Sequence, residues 1–370
     1  MRATMFRHRT HRAIAAATLL ATMLVGCSSS LEAEATGQGK ALSSATVIDN
    51  PKNHEGPSTA RLASAVLNPV TNDPEVKLPV TVTDAQGTTV TITDVSRILP
   101  IDLYGTSSRI VFDLGLGKNV VGRDVSSDFE EIKDLPLVTH NGHELNAEAI
   151  LELAPSVIIT DSSLGPWDVV LQMREAGIPV FVVDSHRSLE NSNEMITQIA
   201  KALGVPEQGT ELAERTSNQV KAITEQIAQI APQGNDRLRM IFLYARGQSG
   251  VYYLFGEGSG ADSLITSIGG IDVASDIGWK GMRPMTDEAL VEAAPDLVIM
   301  MTSGLESAGG IEGIKTSVPA LAHTPAGAKN RIVDMADSDV LSFGPNSAGI
   351  LEALSVAVYA PAETTADGAK

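Results

Sequence analysis

The hydrophobic pattern separates an N-terminal part without periodic order from a longer part in which strands and helices alternate. Folded sequence is expected to begin near Val76, because apolar and polar residues alternate over residues 80–84 and 90–92. Gln86-Gly87 lies between these two runs. The pattern therefore predicts a strand, a tight turn and a second strand at the start of the folded part.

Helical and strand patterns then alternate along the chain. Residues 109–116 and 169–176 have the apolar spacing of helices, whereas residues 120–122 and 180–183 are short apolar runs typical of buried strands. Alternation of this kind indicates parallel sheets covered by helices. The pattern therefore predicts an α/β fold.

Two segments 140 positions apart are similar to each other, residues 147–159 and residues 287–299. The identical pairs are Glu148 and Glu288, Ala149 and Ala289, Glu152 and Glu292, Ala154 and Ala294, Pro155 and Pro295, and Ile159 and Ile299. Each copy predicts a short amphipathic helix, a proline that ends it and a buried strand. Two copies of one α/β unit indicate two similar Rossmann-like lobes.

A long helical pattern at residues 189–230 lies between the copies, with an interruption at residues 204–206. Its second half has no proline and no glycine after residue 209, so we predict a long helix that joins the lobes and restricts hinge motion. The predicted divisions are an N-terminal lobe at 76–188, a linking segment at 189–230, a C-terminal lobe at 231–360 and a tail at 361–370.

The first 26 residues have the character of a secretory signal peptide. Four arginines and no acidic residue precede an uncharged apolar run at residues 13–25, which is shorter than the roughly 20 residues of a membrane-spanning helix. The run ends in Leu24-Val25-Gly26-Cys27, which resembles a bacterial lipobox. We expect cleavage before Cys27, acylation of its thiol and attachment to a membrane surface.

Residues 27–75 are small, polar and aperiodic beyond the cysteine. Such a composition cannot bury enough apolar area to offset the entropy of ordering, so we predict a flexible tether. A small structured cap is the alternative.

Cysteine count and charge exclude several classes of function. Cys27 is the only cysteine, so an intramolecular disulfide and cysteine-based catalysis or metal binding are excluded. The formal net charge is −18 and becomes more negative when the arginine-rich leader is removed. Nucleic-acid binding requires a basic surface and is therefore not expected.

Two motifs carry a family resemblance. Gly142-His143-Glu144-Leu145-Asn146-Ala147-Glu148 opens the first repeat, and Tyr244-Ala245-Arg246-Gly247 follows a predicted strand at 240–243. Together with the lipobox, the duplicated lobes and the linking helix, they resemble the haem-binding lipoproteins of the HmuT type, the actinobacterial ones in particular. These belong to the substrate-binding proteins of ABC importers for siderophores, cobalamin and haem. The resemblance covers about residues 95 to 360.

The resemblance implies a receptor on the extracytoplasmic face of the cell membrane that binds ferric haem b in a cleft between the lobes. It implies delivery of haem to a permease and its ATPase, with haem-donor surface proteins as candidate partners. It implies no enzymatic activity.

Histidine and tyrosine are both known axial ligands of haem iron. We predict His143 and Tyr244 as the ligands, His143 because its motif is the part that resembles the family, with His140 as the alternative. Asn141-Gly142 marks a turn between the two histidines. Arg246 lies two residues from Tyr244, on the same side of an extended segment, where a guanidinium favours the ionised phenolate. A packing role at the end of a strand is the alternative for Tyr244.

The loop before the second repeat offers further cleft residues. Trp279, Met282 and Met285 are predicted to line the cleft, and Arg283 to bind a haem propionate, because arginine pairs with carboxylates through two parallel hydrogen bonds. An ordinary exposed loop is the alternative.

Glu148 and Glu288 occupy equivalent positions in the repeat. The resemblance implies that they dock with arginines of the permease. The alternative is that both are solvated glutamates in the first helical turn, stabilised by the helix dipole.

Other classes of function have weaker support. Residues 256–261 match G-x-G-x-x-A, a weak dinucleotide fingerprint when it stands alone in mid-chain, and the sequence has no G-x-S-x-G, H-E-x-x-H or Walker motif. A siderophore or cobalamin receptor with the same lobes is the main alternative. A zinc or manganese receptor lacks its usual histidine and carboxylate cluster, and a purely structural surface lipoprotein is a third option.

Overall fold

The structure is a computed structural model that describes residues 39–247 and 252–364. The predicted signal peptide, Cys27 and the last six residues of the predicted tail lie outside the described residues. None of the described helices is long and apolar enough to span a bilayer.

The described strands are β1 (Ser58–Ala60), β2 (Val80–Thr83), β3 (Thr89–Ile92), β4 (Ile98–Ile101), β5 (Thr139–His140), β6 (Glu144–Leu145), β7 (Val157–Thr160), β8 (Val180–Val182), β9 (Arg239–Ala245), β10 (Tyr252–Phe255), β11 (Ile271–Asp272), β12 (Met282–Pro284), β13 (Leu297–Met301) and β14 (Ile332–Met335). The described α-helices are α1 (Thr106–Val111), α2 (Ala147–Glu152), α3 (Trp167–Glu175), α4 (Ser192–Ala202), α5 (Pro206–Ile230), α6 (Ala261–Ser267), α7 (Val273–Asp276), α8 (Asp287–Ala293), α9 (Thr302–Ser307), α10 (Gly310–Ser317), α11 (Pro325–Ala328), α12 (Asp337–Val340) and α13 (Ser347–Tyr359).

The N-terminal lobe is built on a parallel sheet in the order β4-β7-β8. Every residue of β4 and β7 is buried, which explains why these strands read as continuous apolar runs. The predicted hairpin is present as β2 and β3. The prediction of a strand at 120–122 is wrong, because Val120 forms only a single bridge to Ile98, and Arg123 then pairs with Leu137.

The C-terminal lobe has a larger sheet in the order β1-β14-β13-β9-β10-β12, with β11 also paired to β9. The strands β9, β13 and β14 are parallel, whereas β10 runs antiparallel to both β9 and β12. Helix α13 packs against β1 and β14 and is buried along most of its length. The α/β fold with two lobes is confirmed.

The sequence repeat corresponds to a structural repeat. Asn146 and Thr286 occupy equivalent positions and both accept backbone hydrogen bonds as the N-caps of α2 and α8. At the other end, Ala154 and Ala294 both have left-handed backbone conformations, with φ of 43° and 42°. The residue directly before the repeated proline is therefore left-handed in both lobes, although α2 ends at Glu152 and α8 at Ala293.

In each copy of the repeat, an arginine donates a hydrogen bond to a carbonyl group at the C-terminal end of the helix. Arg97 donates to the carbonyl of Leu153 at the end of α2, and Arg239 donates to the carbonyl of Ala293 at the end of α8. A cation at a helix C-terminus is favourable, because the last carbonyl groups carry partial negative charge. The similar segments 147–159 and 287–299 do not include these arginines, so this similarity is visible only in the structure.

Helix α5 joins the hydrophobic cores of the two lobes. Its 25 residues span about 37 Å at 1.5 Å per residue. Leu212 and Ala213 are buried in the core of the N-terminal lobe, whereas Ile223 and Ile227 are buried in that of the C-terminal lobe. The predicted linking helix is therefore present and is packed at both ends.

The flexible tether predicted for residues 27–75 is wrong from residue 39 onward. β1 pairs in parallel with β14 at the edge of the large sheet, and Leu42 is buried in the core of the C-terminal lobe. The backbone of this segment finds its partners on the sheet edge, and small side chains such as Ser58 and Ala60 fit beneath α13. An edge strand of small residues has no hydrophobic periodicity that a sequence pattern can detect.

Candidate functional site

A tight hairpin carries both histidines of the first motif. β5 and β6 pair antiparallel, with His140 opposite Glu144. Asn141 and Gly142 have φ values of 47° and 92°, which asparagine and glycine adopt more readily than other residues. The predicted turn is therefore present, and it places His140 and His143 on opposite sides of a bend.

The surroundings of the two histidines differ. His140 is exposed, and its Nε2 lies 3.5 Å from a carboxylate oxygen of Glu144. His143 is half-buried, and its Nδ1 is buried without a hydrogen-bond partner in the described part of the chain. Burial lowers the pKa of His143, and the charge of Arg246 lowers it further. His143 therefore presents a neutral imidazole with a free ring nitrogen, the form that binds a metal.

Tyr244 lies at the end of β9, directly opposite Tyr253 of β10. Paired residues of antiparallel strands place their side chains on the same face, and the two rings are 6.3 Å apart between centroids. The ring of Phe255 lies 6.4 Å from that of Tyr244. Tyr244 is half-buried, so its ring rests on an aromatic surface while part of it stays accessible.

The two motifs meet across the space between the lobes. Arg246 follows the end of β9 and is exposed, and Asp337 begins α12 in the same lobe. The charges of both act on His143, Arg246 lowering its pKa and Asp337 raising it. The histidine hairpin of the N-terminal lobe thus faces the tyrosine-bearing strand end of the C-terminal lobe.

A cavity of about 650 Å³ lies beside the histidine hairpin. Its lining residues are His140, Asn141, His143, Glu144, Leu145, Ser163, Gly165 and Pro166. Cavities of 300 to 1,000 Å³ are usual for small-molecule sites. His143 is therefore positioned at a space large enough for a sizeable organic ligand.

The loop before the second repeat contributes less than predicted. Met285 is only 8% exposed and belongs to the core of the C-terminal lobe, so its predicted place in the cleft wall is wrong. Met282 is 54% exposed and pairs with Phe255, which puts it on the sheet face of Tyr244. Arg283 pairs with Leu254 and so projects from the opposite face.

Trp279 is half-buried, and its Nε1 is buried without a partner in the described ranges. Its carbonyl accepts a hydrogen bond of 2.8 Å from the backbone N–H of Glu257. A Cβ at Gly256 would lie 2.2 Å from that carbonyl oxygen. Close packing against Trp279 therefore explains the first glycine of the G-x-G-x-x-A match.

A buried charged cluster near the cleft was missed from sequence. Asp102 and Asp161 directly follow β4 and β7, and Arg187 lies 2.5 Å from an oxygen of Asp161 and 4.0 Å from one of Asp102. Burial, with the charge of Asp102, raises the pKa of Asp161, and the charge of Arg187 opposes this effect. The guanidinium of Arg187 also stacks over the ring of Tyr104, 5.4 Å from its centroid.

The sequence does contain a signal for Asp102 and Asp161. An aspartate directly after a buried parallel strand lies at the carboxyl edge of the sheet, where α/β proteins bind ligands. Tyr104, which Arg187 holds, packs against the core of the other lobe. The cluster therefore holds Tyr104 in place where the two lobes meet.

The predicted docking residues Glu148 and Glu288 are both exposed, in the first turns of α2 and α8. Neither carboxylate has an ion-pair partner within residues 39–247 and 252–364. The two side chains are thus equivalent in position and free on the surface.

Two lobes that enclose a cleft on a shared helix define a substrate-binding protein, and known proteins agree. The model of the periplasmic binding protein family matches residues 101–338, so the chain belongs to this family. A crystal structure of the heme-binding protein HmuT has a TM-score of 0.80 and 40% identity, covering 84% of this chain and 99% of HmuT. Further HmuT structures carry alanine in place of a tyrosine, an arginine or a histidine.

Two other relatives are more distant. The apo form of the periplasmic heme-binding protein RhuT from Roseiflexus sp. RS-1 has a TM-score of 0.65 and 34% identity, covering 72% of this chain and 98% of RhuT. The ABC transporter substrate-binding lipoprotein YvrC of Bacillus subtilis (strain 168), described as uncharacterized, is 26% identical over 76% of this chain and 86% of YvrC. The family and these relatives are binding proteins and not enzymes.

Proposed function

We propose that this protein is an extracytoplasmic receptor that binds haem between its lobes and delivers it to an ABC permease. The observation that carries the proposal is that the half-buried His143 of one lobe lies close enough to Arg246 of the other lobe for the guanidinium charge to lower its pKa, and Arg246 is two residues from Tyr244. A neutral imidazole and a phenol are two of the side chains that ligate haem iron axially.

His143 and Tyr244 are proposed as axial ligands on opposite faces of ferric haem b. They come from different lobes, so one haem would contact both lobes at once. His140 is the weaker candidate, because its ring is exposed and already pairs with Glu144. The aromatic surface of Tyr253 and Phe255 around Tyr244 suits the flat, apolar face of a porphyrin.

Arg246 is proposed to lie beside Tyr244 next to the bound haem, or to pair with a haem propionate through its guanidinium. The replaced tyrosine and arginine of the HmuT variants are two positions apart, as are Tyr244 and Arg246. This spacing supports equivalent roles for the two residues here.

The lipid on Cys27 is proposed to hold the receptor at the outer face of the cell membrane. Glu148 and Glu288 are proposed to meet cationic side chains of the permease, and haem-donor surface proteins remain candidate partners. Charge reversal at both glutamates should reduce haem uptake and leave haem affinity unchanged. Loss of haem binding in that double variant would contradict the docking role.

The direct test is a haem titration followed by visible absorption on protein that begins at residue 28. The parent should bind one equivalent with a shifted Soret band. Tyr244→Phe and His143→Ala should alter the band and weaken affinity at least about tenfold, or about 1.4 kcal/mol. His140→Ala is the matched control and should bind as the parent does.

Two outcomes would contradict the proposal. Absence of any saturable shift in the parent would assign the cleft to another ligand, and titration with a ferric siderophore or a corrinoid would then identify its class. A spectrum changed by His140→Ala and not by His143→Ala would show that His140, and not His143, is the ligand.

A further inference from the structure

Large exposed apolar side chains are few in the described part of the chain, and two of them occupy equivalent places in the two lobes. Leu151 of α2 is 46% exposed and Val291 of α8 is 42% exposed. The two positions are 140 residues apart, as are all the other matched positions of the repeat. Single exposed apolar residues need no explanation, but a matched pair does.

Neither side chain is required for the core of its lobe. The neighbours Ile150 and Leu290 point inward and are 1% and 0% exposed, so each helix already has its buried anchor. Leu151 and Val291 lie on the outward faces of the same helices. Their exposure therefore leaves apolar area in water without any gain inside the protein.

Each apolar side chain stands beside exposed carboxylates. Glu148 is three positions before Leu151, and Glu288 is three positions before Val291, which places each pair on one helix face. Glu152 and Glu292 follow directly and are also exposed. Across residues 39–247 and 252–364, none of these four carboxylates forms an ion pair, so each apolar side chain is flanked by unpaired carboxylates.

We propose that Leu151 and Val291 are the apolar contacts of the surface that docks onto the permease, and this rests on the function proposed above. The glutamates belong to that proposal, and the apolar pair is the addition. Protein interfaces combine an apolar centre with a polar rim, and each lobe presents one such combination. The partner must therefore offer two equivalent surfaces, each with an apolar depression beside a cationic side chain.

A second copy of this chain fits the surface poorly. Two such patches brought together would oppose carboxylates with carboxylates, and like charges at an interface disfavour association. A partner that is itself built from two equivalent subunits supplies the duplicated cationic contacts. A permease made of two matching halves meets this description.

The test uses Leu151→Gln, Val291→Gln and the double variant, with Leu171→Gln as control. Leu171 lies on α3, is 43% exposed and has no counterpart in the repeat, so it matches the test residues in exposure alone. Glutamine keeps the length and helix propensity of leucine while it removes the apolar end. Thermal melting should show that all four proteins fold as the parent does.

The readout is ATP hydrolysis by membrane vesicles that contain the permease and its ATPase, measured against receptor concentration. The double variant should need about tenfold more receptor for half-maximal stimulation, equivalent to about 1.4 kcal/mol of lost apolar contact. Leu171→Gln should behave as the parent. Unchanged stimulation by the double variant, or equal loss with Leu171→Gln, would overturn the inference.

Haem titration separates this inference from the proposed function. Every variant should bind haem with the affinity of the parent, because the patches lie outside the cleft. A parent that binds no haem would refute the proposed cargo, and the docking measurement without haem would still test the apolar pair. A receptor dimer seen by light scattering and abolished by the double variant would assign the surface to a second copy instead.

Discussion

The guanidinium of Arg331 donates a hydrogen bond of 2.9 Å to the hydroxyl of Ser58, although 273 residues separate them. Arg331 is only 1% exposed, and its guanidinium also donates to the carbonyls of Gly56 and of Ala357 and Val358, the last two in α13. One buried side chain therefore fastens the N-terminal segment to the last helix of the C-terminal lobe.

Arg331→Met should lower the free energy of unfolding by about 3 kcal/mol, because it leaves buried carbonyls and a hydroxyl without a donor. Ser58→Ala removes one of these partners and should cost about 1 kcal/mol. Urea denaturation measures both values, and the exposed Arg61→Met is the control, expected within about 0.5 kcal/mol of the parent. Equal stability of Arg331→Met and the control would contradict the role of Arg331.

Asp339 should make the protein less stable as the pH rises from about 4 to about 6. Burial raises the pKa of Asp339 to about 6, with Arg109 opposing the effect, whereas an unfolded aspartate has a pKa of about 3.9. The folded state therefore holds a proton over this range that the unfolded state has lost, and folding is penalised at higher pH.

Asp339→Asn removes that penalty and should raise the free energy of unfolding by about 1 to 3 kcal/mol at pH 7, with little change near pH 4. Urea denaturation at several pH values measures the difference. Asp128→Asn, at an exposed position of the facing lobe, is the control. A constant difference between parent and Asp339→Asn at all pH values would show that the carboxyl does not titrate in this range.

Met282 and Arg283 should differ in their effect on haem binding. The register of β12 places Met282 on the face of Tyr244 and Arg283 on the other face. Met282→Ala should weaken haem affinity about threefold through lost apolar contact, and Arg283→Ala should leave it unchanged. Fluorescence quenching by haem measures both, and the opposite ranking would place the propionates at Arg283.

Gly256→Ala should strongly destabilise the C-terminal lobe. The new Cβ would lie 2.2 Å from the carbonyl oxygen of Trp279, a distance that requires the backbone to move. We expect a loss of about 2 to 4 kcal/mol on thermal or urea unfolding. Gly165→Ala is the matched control, because a Cβ there meets no atom within 4 Å. Equal losses in both variants would show that the contact with the carbonyl of Trp279 does not by itself destabilise the lobe.

The repeat shows how far local sequence determines structure. The helical spacing of apolar residues specified α2 and α8, because a short helix needs only its own buried face and a cap. The arginines that close these helices come from more than 50 residues upstream, at Arg97 and Arg239. Contacts between distant segments leave no periodic signal in either segment.

The predicted cleft residues rest on two different kinds of sequence information. His143, Tyr244 and Arg246 lie in short motifs, in which residue type and spacing indicate the chemistry. Met285 and Arg283 were assigned by proximity in sequence, whereas strand register and burial decide which side chains of a loop reach a cleft. A one-residue shift along a strand reverses the face, so proximity alone was not enough.

Periodicity and a few adjacent residues are enough to specify the α/β class, the duplicated unit, the long linking helix and the motifs that carry His143 and Tyr244. Long-range contacts in the folded chain are needed to see that residues 39–75 pack on the folded body, that Arg331 secures Ser58 and that Asp102, Asp161 and Arg187 form one buried cluster. These features depend on edge pairing and on charges brought together from distant strands, whose free energy comes from burial that exists only in the folded chain.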